Sequence, residues 1–66
     1  MNTEVRKEIS AAAHAALTMS RLAIDYQKQA EEFPWKRTKL LAESERCWGE
    51  GYQWLDHARD LRERYA

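Results

Sequence analysis

In the first half of the chain, Val5, Ile9, Ala12, Ala16, Met19, Ala23, Tyr26, Ala30 and Phe33 follow one another in alternating steps of four and three. The second half repeats the rhythm with Leu41, Ser44, Trp48, Gly51, Leu55, Ala58, Arg62 and Tyr65. Residues at that spacing share one side of an α-helix, and a seam sustained over several heptads favours packing at a shallow angle, as in a coiled coil. The pattern predicts an all-α fold with one helix over about residues 3–32, a turn at about 33–34 and a second helix over about 35–64. Asn2 or Thr3 can cap the first helix, with Glu4 in its first turn, where the helix dipole favours an anion. Pro34 enforces the break: it disfavours helical geometry at Phe33 yet suits the first position of a new helix. So short a connection makes the helices antiparallel neighbours.

Folded about that turn, the seams register when paired residue numbers sum to roughly 67. Ile9 then meets Ala58, Ala16 meets Gly51 and Ala23 meets Ser44, with Ala12 against Leu55, Met19 against Trp48 and Tyr26 against Leu41 in the alternate layers. A slip of one heptad is the rival register. Close approach of the backbones accounts for Gly51, since glycine inside a helix otherwise costs about 1 kcal/mol. Gly49 has no such reason, and local softening is expected there. A second apolar stripe lies beside each seam: Ala13, Leu17 and Ile24 on the first helix, and Leu40, Cys47, Trp54 and Leu61 on the second. One hairpin cannot cover both stripes, so these seven residues are expected to form an oligomer interface. Two hairpins closing as a four-helix bundle are the simplest solution, with higher symmetric oligomers also open.

The chain has 66 residues, one domain's worth, and a chain this short commonly needs a staple or a partner. Cys47 is the single cysteine, which excludes an internal disulfide and fits a reducing compartment. Eleven basic side chains balance eleven acidic ones, which speaks against a nucleic-acid coat and an acidic nucleic-acid mimic alike. A helix-turn-helix would also need a third helix, which two long ones leave no room for. No apolar run approaches the roughly 20 residues needed to span a bilayer, and the first residues lack a signal-peptide pattern. The expectation is a soluble, cytoplasmic protein with no membrane partner. Along the outer faces, Arg21 with Asp25, Lys39 with Glu43, Arg46 with Glu50, Arg59 with Glu63 and Asp60 with Arg64 sit four apart. Such pairs add a few tenths of a kcal/mol each and decorate a solvated surface.

Candidate chemistry is sparse. A catalytic Ser or Cys needs a base within reach, and neither Ser44 nor Cys47 has a histidine at helical spacing. His14 lies in an alanine run, His57 beside Asp56 and three residues before Asp60. There is no His-x3-His or Glu-x2-His pair to hold a metal on a helix. The expectation is therefore no catalytic residue, no metal and no cofactor. The sharpest polar feature is the cluster Lys36, Arg37 and Lys39 at the start of the second helix. Cations there oppose the dipole, which invites a functional reading as phosphate contacts, with Trp35 and Phe33 placed to stack on a planar base or to close the hairpin end.

The stretch Phe33-Pro34-Trp35-Lys36-Arg37-Thr38-Lys39-Leu40-Leu41-Ala42, after a helix carrying Leu22-Ala23, resembles the hairpin of phage cyclic-nucleotide sponges of the anti-CBASS and anti-Thoeris type. The shared elements are a Pro-x-x-Arg turn, a Leu-Ala helix start and a downstream aromatic, over roughly half the chain. The resemblance implies a symmetric oligomer that sequesters a cyclic nucleotide between protomers without cleaving it, with Lys36, Arg37 and Lys39 as phosphate contacts. Trp48-Gly49-Glu50-Gly51 departs from that family, standing where an alanine-rich apolar stretch is expected. The leading expectation is instead a small non-catalytic interaction protein, of the kind phages and prophages use as accessory factors. It would bind itself and a host protein, with Trp35, Trp54 and nearby arginines as contact residues. The sponge is the alternative.

Overall fold

The computed structural model describes residues 3–65; Asn2, the other candidate cap, lies outside the described residues. Helix α1 runs Thr3–Glu32 and helix α2 runs Arg37–Tyr65, joined through Phe33 and a short 3-10 turn, Pro34–Lys36. No strand occurs among the described residues. The two helices lie antiparallel as a slender rod 49 Å long and 14 by 10 Å in section. A 30-residue helix is about 45 Å long at 1.5 Å per residue, so each helix runs nearly the full rod.

The turn follows from Pro34. Phe33 leaves the helical region, at φ −123° and ψ 76°, as a residue before proline must. Its N–H still donates to the Gln29 carbonyl at 2.8 Å, and its carbonyl accepts from Lys36 N–H at 2.9 Å. The Arg37 N–H donates to the Pro34 carbonyl, so the first turn of the second helical segment is wound as 3-10 before α2 begins. Phe33 and Trp35 meet edge to face, with ring centroids 5.5 Å apart.

The seam is built almost entirely from small residues. Ala12, Ala16, Ala23 and Ala30 of α1 are buried against Ser44, Cys47, Gly51, Ala58 and Leu61 of α2. Ser44 and Cys47 are the largest side chains with under 2% exposure. Two contacts fix the register. The Ser44 hydroxyl donates to the Ala23 carbonyl at 2.9 Å, and a Cβ on Gly51 would lie 3.5 Å from the Ala16 carbonyl oxygen. Ala23 with Ser44 and Ala16 with Gly51 both sum to 67, so the hairpin adopts the expected register rather than the one slipped by a heptad.

The phase of α2 differs from expectation. Cys47 and Leu61 are buried within the hairpin itself, whereas Trp48 is half-buried and Leu55 is 46% exposed. Ser44, Gly51 and Ala58 belong equally to a seam continued by Trp48 and Leu55 and to one continued by Cys47 and Leu61. Size decides between them: alanines draw the backbones so close that a thiol fits where an indole does not. Cys47 and Leu61 are therefore not available to a second copy, contrary to the interface expected from spacing.

Gly49 has open space around it, with no atom within 4 Å of a Cβ built there, and α2 continues through it unbroken. Gly49→Ala should stabilise the fold by roughly 0.5–1 kcal/mol, read as a higher urea midpoint at fixed protein concentration. An unchanged or lower midpoint would mean that this helix surface is covered. Of the five ion pairs expected on the outer faces, Arg46–Glu50 and Asp60–Arg64 close, at 2.9 and 3.2 Å. Glu43 turns to Arg46 at 2.8 Å rather than to Lys39. The Glu43 hydrogen bond, then the charges of Glu43 and Glu50, hold the Arg46 guanidinium still more firmly protonated than usual.

Candidate functional site: the two faces of the rod

Residues one position after a seam residue and those one position before it point about 100° to either side. In an antiparallel pair, the residues following the seam on both helices reach the same face of the rod. Four shallow surface grooves show this directly. One is lined by Ile9, Ala13, Leu55, Ala58, Arg59 and Arg62 near the open end of the hairpin. Another, near the turn, is lined by Gln27, Ala30, Glu31, Pro34, Arg37 and Leu41. The helical repeat puts Leu17 and Ile24 on the side of Ala13, and Trp48 on the side of Leu41 and Leu55. This first face thus carries Ala13, Leu17, Ile24, Leu41, Trp48 and Leu55, with Glu45 and Tyr52, which follow Ser44 and Gly51, among them and further charge at its two ends.

The second face holds the other two grooves. Tyr26, Lys36, Lys39, Leu40 and Glu43 line one, and Glu50, Gln53, Trp54 and His57 the other. Leu22, four residues before Tyr26, shares this side. Trp54 and His57 meet edge to face, with ring centroids 6.2 Å apart. Glu43, Glu50, Lys36 and Lys39 give this face four charged side chains, as many as Glu31, Arg37, Arg59 and Arg62 give the first.

The stripe expected to form a single interface is thereby divided. Ala13, Leu17 and Ile24 lie on the first face, whereas Leu40 and Trp54 lie on the second, and Cys47 and Leu61 are covered by the hairpin. The apolar partners of Leu17 and Ile24 on α2 are Leu41, Trp48 and Leu55, residues the spacing had assigned to the seam. Reversing the direction of α2 reverses which neighbours of its seam share a face with those of α1, and a helical wheel drawn for each helix separately does not show it.

The basic cluster divides too. Lys36 and Lys39 border the groove around Tyr26 and Leu40, while Arg37 lies beside Glu31 on the opposite face. Consecutive helical residues do not face the same way, so Lys36 and Arg37 cannot converge on one phosphate from within one hairpin. Trp35, 75% exposed, packs on Phe33 at the tip and lines neither groove. Among the described residues, no three His, Cys, Asp or Glu side chains gather where they could hold a metal ion. No helix among them is long and apolar enough to cross a membrane.

The fold and its surface define a two-helix antiparallel hairpin with an alanine-rich seam and two unlike faces. Comparison with known proteins finds no matching family model, no matching curated protein and no matching solved structure.

Proposed function

We propose that this chain is a non-catalytic interaction protein, a self-associating helical hairpin that works by occupying the surface of another protein. One observation carries the reading. The core takes up small side chains, while Leu17, Leu22, Ile24, Trp54 and Leu55 remain 41–47% exposed. Full burial of such a side chain from water contributes about 1.5–3 kcal/mol, and completing the burial of one already more than half covered contributes roughly half of that, so several of them together supply a driving force for association. Apolar exposure on opposite faces of one thin rod suits two simultaneous contacts, one with a second copy and one with a different protein.

The second face is suited to the foreign protein. Its Trp54, set between His57, Glu50 and Gln53, combines a large apolar surface with polar neighbours, the composition that dominates protein contacts. The exposed Trp35, beside Phe33 at the tip, offers a separate aromatic contact at the other end of the rod. Affinity capture with the intact chain should retain a discrete binding protein. Trp54→Ala should weaken that capture by roughly 30-fold, the effect of losing a 2 kcal/mol contact, while leaving the sedimenting mass of the hairpin assembly unchanged. Equal capture by the parent and by a double Trp35→Ala, Trp54→Ala variant would rule out this surface. The alternative, a nucleotide sponge, would have to draw Lys36, Lys39 and Arg37 from different protomers, since one hairpin divides them; on the reading proposed here, thermal melting with cyclic dinucleotides should leave the midpoint unmoved, and a raised midpoint would favour the sponge.

A further inference from the structure

We infer that the groove at the open end of the first face binds an acidic segment of a partner protein, one in which a carboxylate stands beside an aliphatic side chain. The site is separate from Trp54 and does not rest on the contact proposed for the second face. Charge and shape carry it together.

The charge is of one sign and unpaired. Arg59 and Arg62, one turn apart on α2, border this groove, and no carboxylate does. The turn-end groove sets Glu31 against Arg37, the groove around Tyr26 has Glu43 beside its two lysines, and the one around Trp54 contains Glu50. Both arginines are exposed, and among the described residues neither closes an ion pair. Arg59 leaves even Glu63, one turn onward, unengaged. Arg6, two turns before Ala13, adds a third guanidinium on the same side. The helix dipole explains cations in the last turn, where Arg62 and Arg64 stand. It does not reach back to Arg59. Like charges three apart on a helix repel, and an anion that bridges them relieves the repulsion.

The shape asks for an apolar group beside that anion. Ala13 and Ala58 are small where Ile9 and Leu55 are large, so a hollow of about 280 Å³ opens among them, bordered by the arginines. Ala58 is buried while Leu55 is 46% exposed, which gives the hollow an apolar floor and a bare apolar wall. Pockets that enclose small molecules run from roughly 300 to 1,000 Å³, so this one takes a side chain or two rather than a whole cofactor. A guanidinium fork holds a carboxylate through two parallel hydrogen bonds, and arginine clusters read acidic motifs in this way. A nucleic-acid backbone would satisfy the arginines but brings no aliphatic group for the hollow. Leu17, Ile24 and Trp48, further along the face, are left free for the proposed self-association.

Fluorescence anisotropy with a short labelled peptide of leucines spaced among glutamates tests the assignment. The parent hairpin should bind it in the micromolar range, and more weakly as ionic strength rises. Glutamine in place of the glutamates, or serine in place of the leucines, should each weaken binding by roughly tenfold or more. Arg59→Gln and Arg62→Gln should each weaken it by roughly tenfold, the effect of losing one charge-assisted hydrogen bond. Arg21→Gln, at a position that lines none of the four grooves, and Trp54→Ala should leave it unchanged. Because the two arginines are exposed and unpaired, their replacement should also leave the urea midpoint where it was. No binding by the parent, or equal binding by the Arg59→Gln, Arg62→Gln double variant, would overturn the inference. So would single-stranded DNA or anionic vesicles held by the same arginines more tightly than the peptide. A double variant that loses the parent's sedimenting mass would overturn it too, by giving the groove to a second copy.

Discussion

Ser44→Asp is expected to come close to unfolding the hairpin at neutral pH and to recover part of the loss in acid. Ser44 is 2% exposed, and its hydroxyl donates to the Ala23 carbonyl at 2.9 Å. An ionised aspartate has no proton to donate there, and sets its charge against that carbonyl oxygen inside an apolar seam. An uncompensated buried charge costs about 3–5 kcal/mol. Native stability of roughly 0.05–0.15 kcal/mol per residue amounts to about 3–10 kcal/mol for a chain of this length, so the two are comparable. A protonated aspartic acid can donate as the serine does. Burial therefore raises the folded-state pKa of the new carboxyl above its unfolded value of about 3.9, and the folded state binds the proton more tightly. The penalty is full above the raised folded pKa and shrinks as pH falls from there towards 4. The measurement is the difference between variant and parent urea midpoints at pH 4 and pH 7, which removes the parent's own loss of carboxylate pairs in acid. A difference that is the same at both values would place residue 44 in water.

Gly51 separates a methyl group from anything larger. A Cβ at this position would lie 3.5 Å from the Ala16 carbonyl oxygen and from Met19 Cβ, and 3.9 Å from Ser20 Oγ, all ordinary van der Waals distances. Gly51→Ala should thus fit, and should gain up to about 1 kcal/mol of helix propensity. Gly51→Leu must drive further carbons into α1 backbone and should lose about 1–3 kcal/mol through overpacking. The opposite signs of two substitutions at one position, read from thermal or urea unfolding at equal concentrations, constitute the test. A leucine tolerated as well as an alanine would mean that the helices do not approach at Ala16.

The helices, the proline turn and the register were all legible in the residues, and for one reason. Alanine, serine and glycine recur at heptad spacing on both arms, and Ala16, Ala23, Ser44 and Gly51 allow close approach only when small faces small. The same small residues concealed the phase of α2. Ser44, Gly51 and Ala58 fit two seams equally, and the choice of Cys47 over Trp48 depends on how near the backbones come, a distance that spacing does not contain. The division of the outer stripe was hidden differently, since it follows from the reversed direction of α2 rather than from either helix alone. The separation of Lys36 from Arg37 could have been read from their adjacency, because neighbouring helical residues point 100° apart. The partner proposed for the second face is legible in neither sequence nor fold, because complementarity belongs to two molecules.

The pairing of residues whose numbers sum to 67 also sets an order of events when the chain folds. Next to Phe33 and Pro34, contacts close loops of a few residues; beside Val5, the matching contact on α2 closes a loop of more than fifty. Loop entropy grows with the logarithm of that length, so each step outward from the tip adds little once the previous layer is in place. The expected order is therefore a zipper from the Pro34 end, with Ala30 and Leu41 engaged before Ala12 and Ala58. Mutations near the tip should slow the closing rate, and those near Ile9 and Leu61 should chiefly speed the opening rate.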